Sequence, residues 1–412
     1  MRSLYTIGIH LIAFVLKCAA LFNEKLNKGV QGRKQTFKLL EQGISETDKT
    51  IWFHCASLGE YEQGLPVFTE LRKCYSKHKI ILSFFSPSGY EIRKNSPIAD
   101  IVIYLPMDTQ SNAKRFLDFV RPELTVFVKY DIWPNFLNEL KNRQLKAILI
   151  SAAFRKNQHY FKFYGSLFRS ALFSFDHIFT QNKASRELLN SIGYHEVTIS
   201  GDTRFDRVTN QLNMNNSLSF IHEFIDGKLC IVAGSTWPDG ESLFVDFINN
   251  NASKDIKYII APHNVKMSRI HNLQKELAAE SILFSEKENK QLTDYSVFIV
   301  DTIGLLSKIY NYADIAYVGG GMGNTGLHNS LEPAVFGVPI IIGQNHKEFP
   351  EAQAMIDNGG MFSISNHKQF NTILSELITD DNKRVACGAK NKDYVKKNKG
   401  AVSHIINYLN IN

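Results

Sequence analysis

Short apolar segments alternate with longer amphipathic ones from residue 51 through most of the 412-residue chain, and few folds accept that pattern. In the first half the spacing predicts strands at Ile51–His54, Ile80–Phe84, Ile101–Tyr104, Leu124–Val128, Ala147–Ser151, Ile178–Gln181 and Val197–Ser200. Helices are predicted between them at Glu60–Cys74, Gly89–Lys94, Asn112–Val120, Trp133–Asn142 and Ala184–Ser191. Such a run implies a parallel, doubly wound sheet. The periodicity lapses over residues 206–228, where an Asn-rich stretch runs from Thr209 to Ser217. A second set follows, with strands at Leu229–Ala233, Tyr258–Pro262, Ser296–Val300, Ile315–Val318 and Pro339–Ile342, and helices at Glu241–Asn249, Lys266–Glu280 and Ile303–Asn311. A chain this long exceeds what one core usually holds. The expected organisation is therefore an amino-terminal segment at 1–38, a first α/β domain at 39–205, a linker at 206–228, a second α/β domain at 229–390, and a final helix at 391–412 crossing back to the first. Two such domains in series would place ligands where strand carboxyl ends face each other.

The last predicted unit of the second set carries the clearest ligand signal. Ile315–Val318 is followed by a glycine loop, Gly319–Gly326, then by a helix opening near Asn329. Glycines let the backbone approach a ligand closely, and a helix amino terminus favours an anion. Gly321-x-Gly323-x-x-Gly326 also matches the dinucleotide fingerprint, but the acidic residue expected about 20 positions on is missing, since that strand ends in Gly343-Gln344. Glu332, in the first turn of the expected helix and followed by Pro333, offers a carboxylate for ribose hydroxyls instead. With Asn329, these residues favour a nucleotide site over a merely glycine-tolerant turn.

The formal charge of +7 suits an acidic partner without choosing among phosphorylated substrates, anionic lipid and nucleic acid. Five scattered cysteines, with no Cys-x-x-Cys, argue against a zinc site or a disulfide framework and for a reducing compartment. Residues 4–22 are mostly apolar, interrupted by His10 and Lys17, and are followed by Lys25, Lys28, Arg33, Lys34 and Lys38. That pattern fits a helix that spans a bilayer or lies in its interface, with basic residues on anionic headgroups. The alternative is an amphipathic helix packed on the domain.

Chemistry in such a fold sits just after strands. Glu60 begins the helix after the first strand, where a general base would be presented; the competing reading is a carboxylate complementing the helix dipole. His54 reads as a core histidine. Ser86-Pro87-Ser88-Gly89 forms either a polar cleft turn or an N-cap. Asp131 reads as cleft-facing and Trp133 as packing, while Lys129, Arg155 and Arg204 would neutralise an acidic donor. Gly234-Ser235-Thr236 and Pro262-His263 end successive strands of the second domain and face the glycine loop.

Taken in order, these pieces resemble the 3-deoxy-D-manno-octulosonic acid (Kdo) transferases of lipopolysaccharide biosynthesis over essentially the whole chain. The resemblance is carried by His54-x-x-Ser57-x-Gly59-Glu60, Ser86-Pro87-Ser88-Gly89-x-Glu91, Tyr104-Leu105-Pro106-x-Asp108, Trp133-Pro134-Asn135, Gly201-x-x-x-Phe205-Asp206, Ser235-Thr236, Asp301-Thr302-x-Gly304, and Gly319-Gly320 with His328-Asn329-x-Leu331-Glu332. It implies a GT-B architecture of two Rossmann-like domains and an inverting, metal-independent transfer of Kdo from CMP-Kdo to a lipid A precursor at the cytoplasmic face of the anionic inner membrane. No cofactor and no nucleic acid are implied. Glu60 falls at the family's catalytic base, and Arg204 at a basic residue that stabilises the transition state. The donor-contacting positions correspond to Ser235, Thr236, Pro262, His263, Ile303, Gly304, Leu305, Gly319, Gly320, Asn329, Ser330, Leu331 and Glu332. Ser57, Gly59, Ser86, Ser88 and Arg155 fall on the acceptor side. Two departures stand out: His263 replaces an arginine, and Lys129 replaces a glutamate. Either Asp131 supplies the missing carboxylate or Lys129 binds the donor carboxylate. The same fold would also serve a UDP-sugar transferase or epimerase, and the glycine loop alone would serve a dinucleotide oxidoreductase.

Overall fold

The computed structural model describes residues 2–251 and 253–409 and divides into two compact units, residues 1–207 with 399–412, and residues 208–398. The first unit is built on a seven-stranded parallel sheet of β1 (Thr50–Cys55), β2 (Lys79–Phe84), β3 (Ile101–Tyr104), β4 (Pro122–Val128), β5 (Ala147–Ala152), β6 (His177–Thr180) and β7 (Val197–Ile199), in the order β3-β2-β1-β4-β5-β6-β7. These strands are apolar along both faces because helices cover both. Trp52, Ile81, Phe127 and Leu149 point into one core with the helices Gln110–Val120 and Pro134–Asn142. Ile51, Phe53, Val126 and Ile148 point into the other, against the helix Leu58–Cys74.

The second unit repeats the design. Its sheet consists of β8 (Leu229–Thr236), β9 (Ile256–Pro262), β10 (Ser281–Leu283), β11 (Val297–Ile299), β12 (Ile315–Val318), β13 (Ile340–Gly343) and β14 (Met361–Ile364), all parallel, in the order β10-β11-β9-β8-β12-β13-β14. Strand order reverses between β1 and β4 in the first sheet and between β8 and β12 in the second. Outside the carboxyl ends of strands at such a reversal, neighbouring connections leave on opposite faces and open a crevice.

Several expectations need correction. The helix expected from Asn329 is a single turn, Leu331–Ala334, because Pro333 and the left-handed Gly337 (φ 81°) cut it short. One turn carries little of a helix macrodipole, so the anion argument built on that helix fails, and the dinucleotide fingerprint loses the helix it requires. The expected linker at 206–228 contains the boundary between the units, at Arg207 and Val208, and is largely helical. The helix Thr203–Gln211 runs across the boundary between the units, and Ser219–Ile225 forms another. The final helix is broken into Asp381–Asn398 and Ala401–Tyr408, and at the break Asp206 accepts hydrogen bonds from the backbone N–H groups of Gly400 and Ala401. Ile405 then fills the core beside the helix Leu58–Cys74.

The amino-terminal segment forms two helices, Arg2–Ala19 and Glu24–Gly43. The second is held to the domain by Thr36, whose hydroxyl donates to the Tyr104 carbonyl at 2.7 Å, and by fully buried Leu40. The first is tied by the Tyr5 hydroxyl, which donates to Asp108 at 2.7 Å. Among the described residues, no helix is long and apolar enough to cross a membrane.

Candidate active site

At the reversal of the first sheet, β1 delivers His54 and β4 leads to Asp131. His54 sits directly opposite Ser83 in the β1–β2 register, and its Nδ1 lies 2.8 Å from the Ser83 hydroxyl. Its Nε2 lies 2.5 Å from Asp131 Oδ2, and the Trp133 indole N–H approaches the same nitrogen at 3.0 Å. His54 is thus a buried histidine, as its strand position suggested, but one that reaches a candidate functional carboxylate. No local signal reveals this, since 77 residues separate the two. The workable clue is topological: both follow adjacent strands at a sheet reversal.

Glu60 occupies the first turn of the helix Leu58–Cys74, half-buried. The Ser57 hydroxyl donates to Glu60 Oε2 at 2.5 Å and makes no hydrogen bond to the helix backbone, although Ser57 is the N-cap residue. The serine orients the carboxylate instead of capping the helix. Gly59 beside it is exposed. Ser86 does cap its helix, Pro87–Arg93, accepting from the Ser88 N–H, and the two hydroxyls lie 2.9 Å apart.

Lys129 is the first residue past β4 and takes a left-handed conformation (φ 71°), unusual and costly for a side chain with Cβ. Its ammonium lies 5.1 Å from the centre of the Tyr130 ring. Ser151 and Ser235, the penultimate residues of β5 and β8, share that conformation (φ 53° and 52°). Arg204 is paired with Asp202, whose Oδ2 lies 2.8 Å from its Nε and 2.7 Å from its Nη2. The sequence reading missed this partner two residues away. Arg155 lies exposed on the loop after β5, where its backbone N–H donates to the Gln158 side chain.

In the second unit β12 leads into Gly319 and Gly320. A Cβ on Gly319 would lie 2.1 Å from the Ser235 carbonyl oxygen, and one on Gly320 (φ 94°) would lie 1.9 Å from that of Gly326. Gly319 is therefore required by the close approach of β12 to β8, and Gly320 by the closing of its own loop. Thr236 is buried, with its hydroxyl donating to Glu241, which in turn accepts two 3.0 Å hydrogen bonds from Arg269. Pro262 and Leu331 are buried as well, so they shape the site through backbone.

His263, Trp237 and His328 form an aromatic cluster after β9 and β8. The rings of His263 and Trp237 stack at 4.8 Å, and those of His263 and His328 lie 4.5 Å apart. The Trp237 N–H donates to His328 Nε2 at 3.1 Å. Burial, then the neighbouring His263, pull the His328 imidazole down to about 4, and burial with Arg269 nearby lowers His263. His328 is therefore neutral near pH 7, its Nε2 an acceptor. The Asn329 amide donates to Glu332 Oε1 at 3.2 Å while its carbonyl oxygen accepts from the Leu331 N–H, so Asn329 fixes the carboxylate beside the loop. The Ser330 hydroxyl is buried with no hydrogen-bond partner among the described residues. Ile303 and Gly304 (φ 91°) stand in an exposed turn leading to half-buried Leu305.

Residues 31–207 match the family model described as 3-deoxy-D-manno-octulosonic-acid transferase (kdotransferase). The chain is 26% identical over 345 residues to the 3-deoxy-D-manno-octulosonic acid transferase of Aquifex aeolicus, covering 82% of this chain and 89% of that protein. It is 25% identical over 375 residues to the protein of the same name from Haemophilus influenzae, covering 87% of this chain and 86% of that one. A bifunctional glycosyltransferase/methyltransferase of Fusobacterium nucleatum is 27% identical over 361 residues, and the match spans 55% of its length. Among solved structures, UDP-GlcNAc 2-epimerase from Neisseria meningitidis superposes with a TM-score of 0.63 at 14% identity, over 89% of this chain and all of that one. That likeness establishes the two-domain α/β fold alone.

Proposed function

We propose, on the premise that the chain belongs to the Kdo transferase family, that it transfers Kdo from CMP-Kdo to a lipid A precursor with inversion and without a metal. The observation that carries the reading is Glu60: a half-buried carboxylate just beyond β1, beside the sheet reversal, oriented by a serine hydroxyl. In this reading Glu60 takes the proton from an acceptor hydroxyl as that oxygen attacks the anomeric carbon and CMP leaves. Arg204 and Lys129 offset the donor's carboxylate and phosphate charges. Glu332 and Asn329 hold the ribose, with Gly319 and Gly320 bringing backbone close to the nucleotide.

The amino-terminal helices support a lipid acceptor and a place on the cytoplasmic face of the inner membrane. Leu4, Ile7, Leu11 and Phe14 are exposed on the helix Arg2–Ala19, and Phe22 just after it is 92% exposed. An apolar surface of that kind is costly in water and suits a membrane interface. Beneath it lies a cavity of about 230 Å³ whose walls include Leu16, Phe37 and Met107 together with Lys17, Arg33 and Lys34. Its mixture of apolar wall and cations matches a phosphorylated, acylated acceptor.

The test is mass spectrometry of a lipid A precursor incubated with CMP-Kdo generated in situ. The native chain is expected to add Kdo, and Glu60→Ala to lose about a hundredfold in rate, the scale of a general base. A folded native chain that adds none would overturn the reading.

A further inference from the structure

We propose that His54, its tautomer set by Ser83, is a positioning residue that holds the Asp131 carboxylate for the transfer reaction; this rests on the Kdo transferase reading. Four side chains form one array, Trp52 and His54 from β1, Ser83 from β2 and Asp131 from the loop after β4. The Trp52 indole N–H donates to the Ser83 hydroxyl oxygen at 2.7 Å, Ser83 meets His54 Nδ1 at 2.8 Å, and His54 Nε2 meets Asp131 Oδ2 at 2.5 Å. The Ser83 oxygen accepts from Trp52, and of the two acceptors within reach of its own proton, His54 Nδ1 at 2.8 Å is much nearer than the Phe53 carbonyl at 3.4 Å. That leaves Nδ1 bare and puts the imidazole proton on Nε2.

The contacts on the other side of the ring agree with this. Nε2 cannot both donate to Asp131 and accept from the Trp133 N–H at 3.0 Å. A contact this short between nitrogen and oxygen needs a proton between them, and with Nδ1 accepting from Ser83 the ring carries its proton on Nε2. The imidazole supplies it, and the Trp133 contact is the weaker one.

Serine, histidine and aspartate in this order look like the array of a serine hydrolase, but their exposure is reversed. Ser83 and His54 are fully buried, whereas the Asp131 side chain keeps 14% of its surface. A substrate cannot reach the hydroxyl, so the array acts outward, on the carboxylate. Asp131 is the sole carboxylate in the Lys129–Trp133 loop that follows β4. Its Oδ2 is held, so its other oxygen is the one presented, in one orientation, at the sheet reversal. Buried partners orient metal-ligating side chains in the same way, and removing one there costs about 10- to 100-fold, the scale expected for His54.

Steady-state transfer is measured for the native chain, His54→Ala, His54→Gln, Ser83→Ala, Asp131→Asn and the double variant His54→Ala/Asp131→Asn. His54→Ala is expected to lose about 10- to 100-fold in kcat with KM for the donor within about twofold. Glutamine can place its amide N–H near the position of Nε2, so His54→Gln recovers most of the loss. The double variant is no slower than Asp131→Asn alone, because the two residues act as one unit. Losses that multiply in the double variant, or glutamine no better than alanine, would overturn the proposal. A second measurement needs neither substrate nor a folded alanine variant: proton NMR of the native protein should show a strongly downfield imidazole N–H resonance, absent from His54→Gln and displaced in Asp131→Asn. Its absence from the native protein would refute the His54–Asp131 bond whatever the activity. Its presence in a chain that transfers no Kdo would instead place the failure in the assigned reaction.

Discussion

The two sheets reverse strand order in the same way, yet what they present at the reversal differs. The first offers carboxylates held by neighbouring side chains: Glu60 by Ser57, Asp131 by His54. The second offers backbone brought close at Gly319 and Gly320, a neutral histidine locked by Trp237, and a carboxylate steadied by Asn329. One fold thus carries two kinds of site. In the proposed reading, the groups that exchange a proton sit in the first unit and those that recognise the nucleotide in the second.

The largest effect expected from breaking this division is at Gly320. Alanine there meets the Gly326 carbonyl and a left-handed backbone at once, so the second unit should lose about 3 kcal/mol or more. Hydrogen exchange should show the loss in β12 and β13 while β1 and β4 keep their protection. Glu60→Gln should lose about a hundredfold in transfer rate with an unchanged unfolding transition, checked by calorimetry alongside the assay.

Acid should separate the units by sign. Burial raises the Asp108 carboxyl to about 6, despite hydrogen bonds from Tyr5 and from the backbone of Asn135 and Phe136. The folded first unit therefore holds a proton that the unfolded chain releases, so this contribution is present in acid and fades as pH rises through about 6. His328 is the reverse: lowered to about 4, it stabilises the second unit near neutrality and loses that contribution as pH falls toward 4. Each shift corresponds to roughly 2–3 kcal/mol. Hydrogen exchange from pH 7 to 4.5 should show protection falling in the second unit, and His328→Gln should flatten that fall. The smallest effect expected is Ser57→Ala, a loss of less than about tenfold in transfer rate, since it removes one orienting hydrogen bond and leaves the base.

Most strands were legible in the sequence, since a strand buried on both faces is a short apolar run whatever surrounds it. The exceptions were β10 and β14, where Ser281 and Ser363 interrupt runs that are already short. The Leu331–Ala334 turn was misread as a longer helix because the glycine loop and Glu332 signal a helix start, while Pro333 and Gly337, which end it, were given too little weight. Glu60 and Asp131 were legible as site candidates because each follows a strand. What holds them was not: Ser57 was placed on the acceptor side with no link to Glu60, and the His54–Asp131 contact joins residues far apart in the chain. Asp202, by contrast, stood two residues from Arg204 and could have been found.

The division between the units is tested most directly by titrating CMP into Glu60→Gln and Glu332→Gln beside the native protein, by calorimetry. The account predicts that Glu60→Gln binds CMP as the native chain does, while Glu332→Gln, lacking the carboxylate proposed to receive the ribose hydroxyls, binds about tenfold or more weakly. Equal affinity in Glu332→Gln and the native chain, or an equal loss in Glu60→Gln, would contradict it.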